Sequence, residues 1–283
     1  MKAASSSSIR DRPDPRVVAV LTARNEERFL AACLENLFRQ GVQVYLCDNQ
    51  STDRTVEIAE SYRDHGLIGI EIIEHDGVFH WERLLRRKEA LFQSLDADWL
   101  MHIDADEIHL PPRSQPTLAA AFAEAGARGY DTVEFSEFTF VPTREAPDHD
   151  HPDFQNTLRS YYPFRPRSPH CVRAFKKRSG PMEIAWSGGH QVRFAAEPKL
   201  YPEPFLMRHY QFLSAAHAAR KYLSRRYEED EVRQRGWHGW RPYLHAEQIR
   251  LPSVDELRVT ATDDDLDPTG AWTGHWLERC VER

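Results

Sequence analysis

The chain has 283 residues, 41% of them hydrophobic, and carries 37 Lys+Arg against 44 Asp+Glu for a formal net charge of -7. That length can enclose one core, and the acidic balance disfavours a nucleic acid polymer as partner, since sequence-independent phosphate binding needs a basic surface. No apolar run approaches the roughly 20 residues that span a bilayer, and Cys33, Cys47, Cys171 and Cys280 form no CxxC pair, so a reducing cytoplasmic setting without disulfides is expected.

Met1 to Arg16 holds Ser5 to Ser8, Pro13 and Pro15 but no apolar core of signal-peptide type, and it reads as a flexible arm. From Val17 to Glu107, short β-branched runs alternate with helical stretches, the signature of βαβ units and a parallel sheet. Four strands are predicted: Val17 to Thr22, Val42 to Cys47, Ile68 to Glu74 and Trp99 to Ile103. Leu30, Leu34, Leu37 and Phe38 recur at helical spacing in a helix starting near Glu26 and ended by Gly41. A second helix is capped by Ser51 or Thr52 and stops at His65-Gly66; a third runs from Trp81 to Leu95.

The remainder predicts an Ala-rich helix over Leu118 to Ala127, an extended strand or pair over Tyr130 to Val141, and a long loop over Pro142 to Pro169. Strands at Cys171 to Lys176, Gln191 to Phe194 and Phe205 to His209 precede a helix from Ala215 to Arg235. Charge is uneven: Arg159 to Arg178 holds seven basic residues and no acid, whereas Ala261 to Arg283 holds six acids against two arginines. Residues 17–110 and 111–283 read as two halves of one domain.

In an open α/β sheet the ligand crevice lies beyond the carboxyl ends of the strands. Three such ends are polar here: Thr22-Ala23-Arg24-Asn25-Glu26, Asp48 to Asp53, and Asp104-Ala105-Asp106-Glu107. Asn25, Ser51 and Asp53 equally suit helix capping. The three carboxylates at 104–107 repel one another unless a cation neutralises them, and a hard divalent ion carrying nucleotide phosphates would do so.

The runs VVAVLTARNEERFL, CDNQSTDRT and LMHIDADE, in that order, resemble the nucleotide-binding half of glycosyltransferase family 2. The resemblance implies a GT-A type fold: a Rossmann-like, mostly parallel sheet flanked by helices, with a C-terminal acceptor-side extension. It also implies a nucleoside-diphosphate sugar donor and a divalent ion, Mn²⁺ or Mg²⁺. Carried over, it sets Thr22, Arg24 and Glu26 against the nucleotide, with Asp48 accepting a hydrogen bond from the base. Lys88, in RRKEALFQSLDADW, stands where the family has an arginine near the base. Asp104 would contact the ribose or a metal-bound water, Asp106 would ligate the metal, and Glu107 would stand behind them. His209, in Met207-Arg208-His209-Tyr210, is the candidate late metal ligand, and Lys221 the candidate phosphate contact, a solvated helix face being its other reading.

Inverting transfer needs a base for the acceptor hydroxyl. In this family it is usually a carboxylate, but Ser187-Gly188-Gly189-His190 contains none, so His190 is the candidate, with Glu183 the nearest acid. The two glycines would let backbone approach a sugar closely. Glu134 and Glu137 would line the acceptor site or simply form the polar face of a strand; Trp186, Trp237 and Trp240 would stack on sugars or pack. The basic stretch would meet an anionic acceptor or a membrane surface bearing a lipid-linked glycan, or remain solvated. A glycan, a lipid-linked glycan or a small molecule all remain open as acceptor. Rival readings are a nucleotidyltransferase, against which the glycine-free TARNEERFL argues, a metal-dependent hydrolase using His149, His151 and His170, and a non-catalytic nucleotide or glycan binder.

Overall fold

A computed structural model describes residues 15–281, so most of the expected N-terminal arm lies outside the described residues. The core is a mixed sheet. Strands β1 (Val17–Ala23), β2 (Val42–Asp48), β3 (Leu67–Ile72) and β4 (Trp99–Asp104) run parallel in the spatial order β3-β2-β1-β4. Alternate residues of β1 go to opposite faces: Val17, Ala19 and Leu21 pack under α1 (Leu30–Arg39) and its neighbours, while Val18 and Val20 meet α3 (Trp81–Ser94). Both faces are covered, so these strands read as unbroken apolar runs.

Beyond β4 the sheet continues antiparallel through β8 (Cys171–Lys176), β6 (Thr132–Phe140), β7 (Ser160–Phe164) and the short β10 (Arg258–Val259). Two strands leave this path. β5 (Glu107–Leu110) turns back directly from β4 and pairs with β9 (Phe205–Tyr210), which also runs parallel to β6. Helix α4 (Leu118–Ala127) packs with α1 on one face. Among the described residues no helix is long and apolar enough to cross a membrane.

Several elements depart from the sequence expectations for identifiable reasons. Helix α1 begins at Leu30 rather than near Glu26, and α2 (Thr55–Glu60) begins four residues after Ser51. The intervening residues are tied to each other across two turns: Asn25 Oδ1 accepts from Thr52 N, Ser51 Oγ from Asn25 N, Thr55 Oγ1 from Glu26 N and Asp53 Oδ2 from Glu27 N. The polar side chains expected as helix caps therefore lock two loops together. Gly41, at φ +75, does end α1 as expected.

The stretch Tyr130 to Val141 holds a single strand, β6, and the expected long loop contains α5 (Phe154–Thr157) and β7. Residues 191–194 form no strand, only an isolated bridge between Glu183 and Arg193. The last long helix stops early: α6 (Ala215–Leu223) ends where Ser224 Oγ turns back onto the Arg220 carbonyl, and the chain then pairs with Phe79 before α7 (Glu229–Arg233). A final helix, α8 (Trp276–Val281), packs with the aromatic cluster of the C-terminal part.

Leu100 is fully buried on the α3 face of β4. Leu100→Ala is expected to cost about 2–5 kcal/mol through lost burial and the cavity left behind, read as a lower urea midpoint with an unchanged m-value.

Candidate active site

A cavity of about 580 Å³ opens at the carboxyl ends of β1 and β4. Thr22, Arg24 and Glu26 line it from the first strand end, Asp104, Asp106 and Glu107 from the β4–β5 turn, His209 from β9, Lys221 from α6, and His190 from the chain between β8 and β9. Nine of the eleven residues expected at the nucleotide, the metal or the base thus share one cavity. Asp48 and Lys88 do not line it.

Asp48 is 1% exposed, and both its oxygens accept from Ser51, through N–H and Oγ. Lys88 is 0% exposed: its ammonium donates to His102 Nδ1 at 2.9 Å and to the Ile103 carbonyl at 2.8 Å, and lies 3.8 Å from Asp104. Neither side chain therefore faces the cavity in this conformation. Burial pushes the Lys88 ammonium down to about 8 against the pull of Asp104.

The acidic turn is neutralised from within the protein. Arg173 of β8 contacts the Glu107 carboxylate and lies 3.5 Å from Asp104, so Lys88 and Arg173 flank that acid. Asp106 Oδ2 takes the Lys221 ammonium at 2.5 Å and faces His209 Nε2 at 3.5 Å. Repulsion among the three carboxylates thus does not by itself call for a metal, contrary to the sequence argument. Burial pushes Asp106 up, but Lys221 and His209 outweigh it and hold the carboxyl well below its usual range. Burial likewise pushes Glu107 up to about 8, Arg173 opposing.

His209 stands between two acids. Its Nδ1 is 2.6 Å from Glu137 Oε1, so Nε2 is the nitrogen left facing Asp106. Burial lowers its pKa, but Asp106 and Glu137 raise it further, well above the ordinary value. His190 is the opposite case: burial, His170, Arg173 and Arg167 hold it well below 6.5, a neutral imidazole whose Nδ1 has no hydrogen-bond partner.

The loop bearing His190 is fixed on several sides. Trp81 Nε1 donates to the Gly188 carbonyl, Arg173 to that of Gly189, and Val172 N–H to that of His190. Gly189 has φ +90, and a Cβ there would come within 2.6 Å of His102 Nε2. Its own close approach is to a buried histidine, while Gly188 lines the cavity. Glu183 is absent from the cavity wall, its backbone being paired with Arg193.

Glu134 and Glu137 are both buried: Glu134 holds Arg165 and the His170 N–H, while Glu137 reaches the cavity. Trp186 and Trp237 line the cavity, whereas Trp240 packs in the C-terminal cluster. The basic stretch is not a free patch: Arg165, Arg173 and Arg178 pair with Glu134, Glu107 and Asp131, while Arg167 lines the cavity without an ion pair among the described residues. Arg173, Arg225 and His275 also stand in the wall, and the sequence motifs do not single them out as site residues; His170, raised only in the hydrolase reading, stands there too. Only a long-range pairing pattern could signal them, since Arg173 lies 66 residues from Glu107.

The family described as Glycosyl transferase family 2 matches residues 18–172. EpsE of Bacillus subtilis (strain 168), a provisionally assigned glycosyltransferase, is 28% identical over 108 residues, 37% of this chain and 38% of that protein. The chain thus matches about two fifths of that relative's length. Similar solved structures include S. aureus TarS 1-349, with 12% identity, a TM-score of 0.44 and coverage of 69% of this chain and 60% of that one. Another is the mannosyltransferase PcManGT from Pyrobaculum calidifontis in complex with GDP-Man and Mn²⁺, with 17% identity, a TM-score of 0.42 and coverage of 83% and 69%.

Two expectations follow from the charges. Arg173→Met removes the donor held by buried Glu107 and should lower stability by about 1–3 kcal/mol in urea denaturation. Burial raises Glu26 from 4.5 to about 7 in the folded state. The folded protein therefore binds more protons than the unfolded chain between those values, and stability falls as pH rises through that window. Glu26→Gln should flatten the profile there and exceed wild type in urea midpoint at pH 8 but not at pH 4.

Proposed function

The chain belongs to glycosyltransferase family 2, and on that premise we propose that it moves a sugar from a nucleoside-diphosphate donor to an acceptor hydroxyl, with inversion. The observation that carries this reading is the meeting, in one cavity, of the Asp106–His209 pair and a neutral His190 at the carboxyl ends of the parallel strands.

The donor set at Asp106 fits a hard divalent ion, Mn²⁺ or Mg²⁺. One carboxylate oxygen and one imidazole nitrogen stand 3.5 Å apart, and Glu137 behind Nδ1 orients the ring as carboxylates do behind metal-bound histidines. With an ion bound, Asp106 would exchange its Lys221 partner, and His209 its proton, for that ion. The ion would supply Lewis-acid stabilisation of the departing diphosphate.

The chain's own residues supply the rest. Lys221 and Arg225, both in the wall, face the place where phosphate charge develops, with Arg24 held by its bonds to the Asn49 and Gln50 carbonyls. Thr22 and Glu26 would contact the nucleotide from β1. Asp104, flanked by Lys88 and Arg173, stays aimed at the ribose side. His190, neutral at pH 7, would accept the proton of the acceptor hydroxyl as that oxygen attacks the anomeric carbon. Trp186 and Trp237 offer faces on which a sugar ring can stack.

The test is thermal stabilisation by uridine or guanosine diphosphate with Mn²⁺ or Mg²⁺, followed by release of nucleoside diphosphate from a panel of nucleotide sugars. Wild type should be stabilised by at least one pair, by about 2.7 kcal/mol at a hundredfold excess over Kd. Asp106→Asn should lose the metal-dependent part. His190→Ala should keep nucleotide binding yet lose roughly 10²-fold or more in kcat. Absence of stabilisation by every nucleotide, or full turnover in His190→Ala, contradicts the reading.

A further inference from the structure

A second set of metal-capable side chains lies in the same wall, apart from Asp106 and His209. One nitrogen each of His170 and His190 and the sulfur of Cys171 lie within 4.8 Å of one another, the one such group of three or more histidine, cysteine and acidic ligands among the described residues. Glu137, outside that group of three, borders it: its Oε2 is 3.5 Å from Cys171 Sγ, which donates to it, and 3.4 Å from His170 Nε2, out of hydrogen-bond alignment. Neighbouring ligands of one tetrahedral zinc-class ion stand about 3.3–3.8 Å apart, given bonds of about 2.0–2.3 Å. Two of the separations here already fall in that range.

The imidazole nitrogens of this group lack other employment. His170 is 3% exposed, yet neither of its nitrogens has a hydrogen-bond partner, and neither has His190 Nδ1. Buried polar nitrogens are costly when unpaired, so the site is built for something it binds. The His170 and His190 rings stack with centroids 4.9 Å apart and 25° between planes. Arg173, the buried cation beside them, is matched by Glu107, and the Glu137 carboxylate contributes negative charge on the spot.

We propose that His170, Cys171, His190 and Glu137 form a second cation site, selective for a thiophilic divalent ion of the zinc class. One thiolate and two imidazoles favour Zn²⁺ over the oxygen-seeking Mg²⁺ or Mn²⁺, which suit Asp106 and His209. On binding, the Cys171 S–H proton leaves to solvent as the sulfur–metal bond forms. His190 commits a lone pair to the ion, so occupancy blocks proton acceptance there and inhibits sugar transfer. That inhibition rests on the function proposed above; the binding does not.

The test uses the full chain, excess Mg²⁺ and Co²⁺ as a coloured stand-in for zinc. Wild type should develop a thiolate-to-cobalt charge-transfer band that saturates at one equivalent and is bleached by Zn²⁺. Asp106→Asn should retain the band, which separates this site from the one at His209, and Cys171→Ser should abolish it while keeping the wild-type circular dichroism. Absence of the band in folded wild type, or its persistence in Cys171→Ser, overturns the proposal. Should Cys171→Ser not fold, His190→Ala decides: the band should remain with cobalt bound at least tenfold more weakly, and unchanged affinity overturns the site.

Discussion

Asp104, Asp106 and Glu107 lie within four residues at the end of β4, and each is met by a cation brought from another element: Lys88 from α3, Arg173 from β8 and Lys221 from α6. Carboxylates packed this closely in a buried turn are tolerable only if paired, because desolvation would otherwise drive them to bind protons. The condition reaches far into the fold. It fixes where β8 must lie beside β4, requires α6 to pass over the strand ends, and ties β5 to β9 so that His209 arrives opposite Glu107 in register.

The same arrangement explains the polar turns at β1 and β2. Their side chains are spent on each other: Asn25 on Thr52, Asp53 on Thr55 and Glu27, Asp48 on Ser51. Asn25 and Gln50 adopt positive φ, which a free loop would avoid but an interlocked pair can hold. The result is a rim of backbone, stiffened by hydrogen bonds, on which Thr22, Arg24 and Glu26 are carried toward the cavity. Residues that look like ligand contacts in the sequence can instead be the frame that holds the contacts.

The parallel half is legible in the sequence because its information is local. Apolar runs, helical spacing and the glycine at 41 are read within a few residues, and the strand ends then mark the cavity. What escapes a local reading is set at a distance. Nothing near Lys88 indicates that its ammonium will be sealed beneath His102, nor does anything near Glu107 name Arg173. Helical periodicity persists past Ser224 and predicts a helix running to Arg235; only tertiary pairing of the following segment with Phe79 ends α6. The basic stretch from Arg159 resembles a surface patch because its partners, Glu134, Glu107 and Asp131, precede it by dozens of residues.

The histidines carry this point furthest. The chain has 14 of them, identical as letters, yet the fold gives those around the cavity opposite protonation. His209, between Asp106 and Glu137, is a cation despite its burial. His102, buried, and His190, partly buried, both lie near Arg173 and stay neutral. The cations His209, Lys221 and Arg225 therefore gather beside Asp106 and Glu26, while His190, beside Arg167 and Arg173, keeps an imidazole with a lone pair to offer. A contrast of that kind suits a reaction in which negative charge departs as a proton is taken up, and it is created by burial and by which charges the fold places beside each ring.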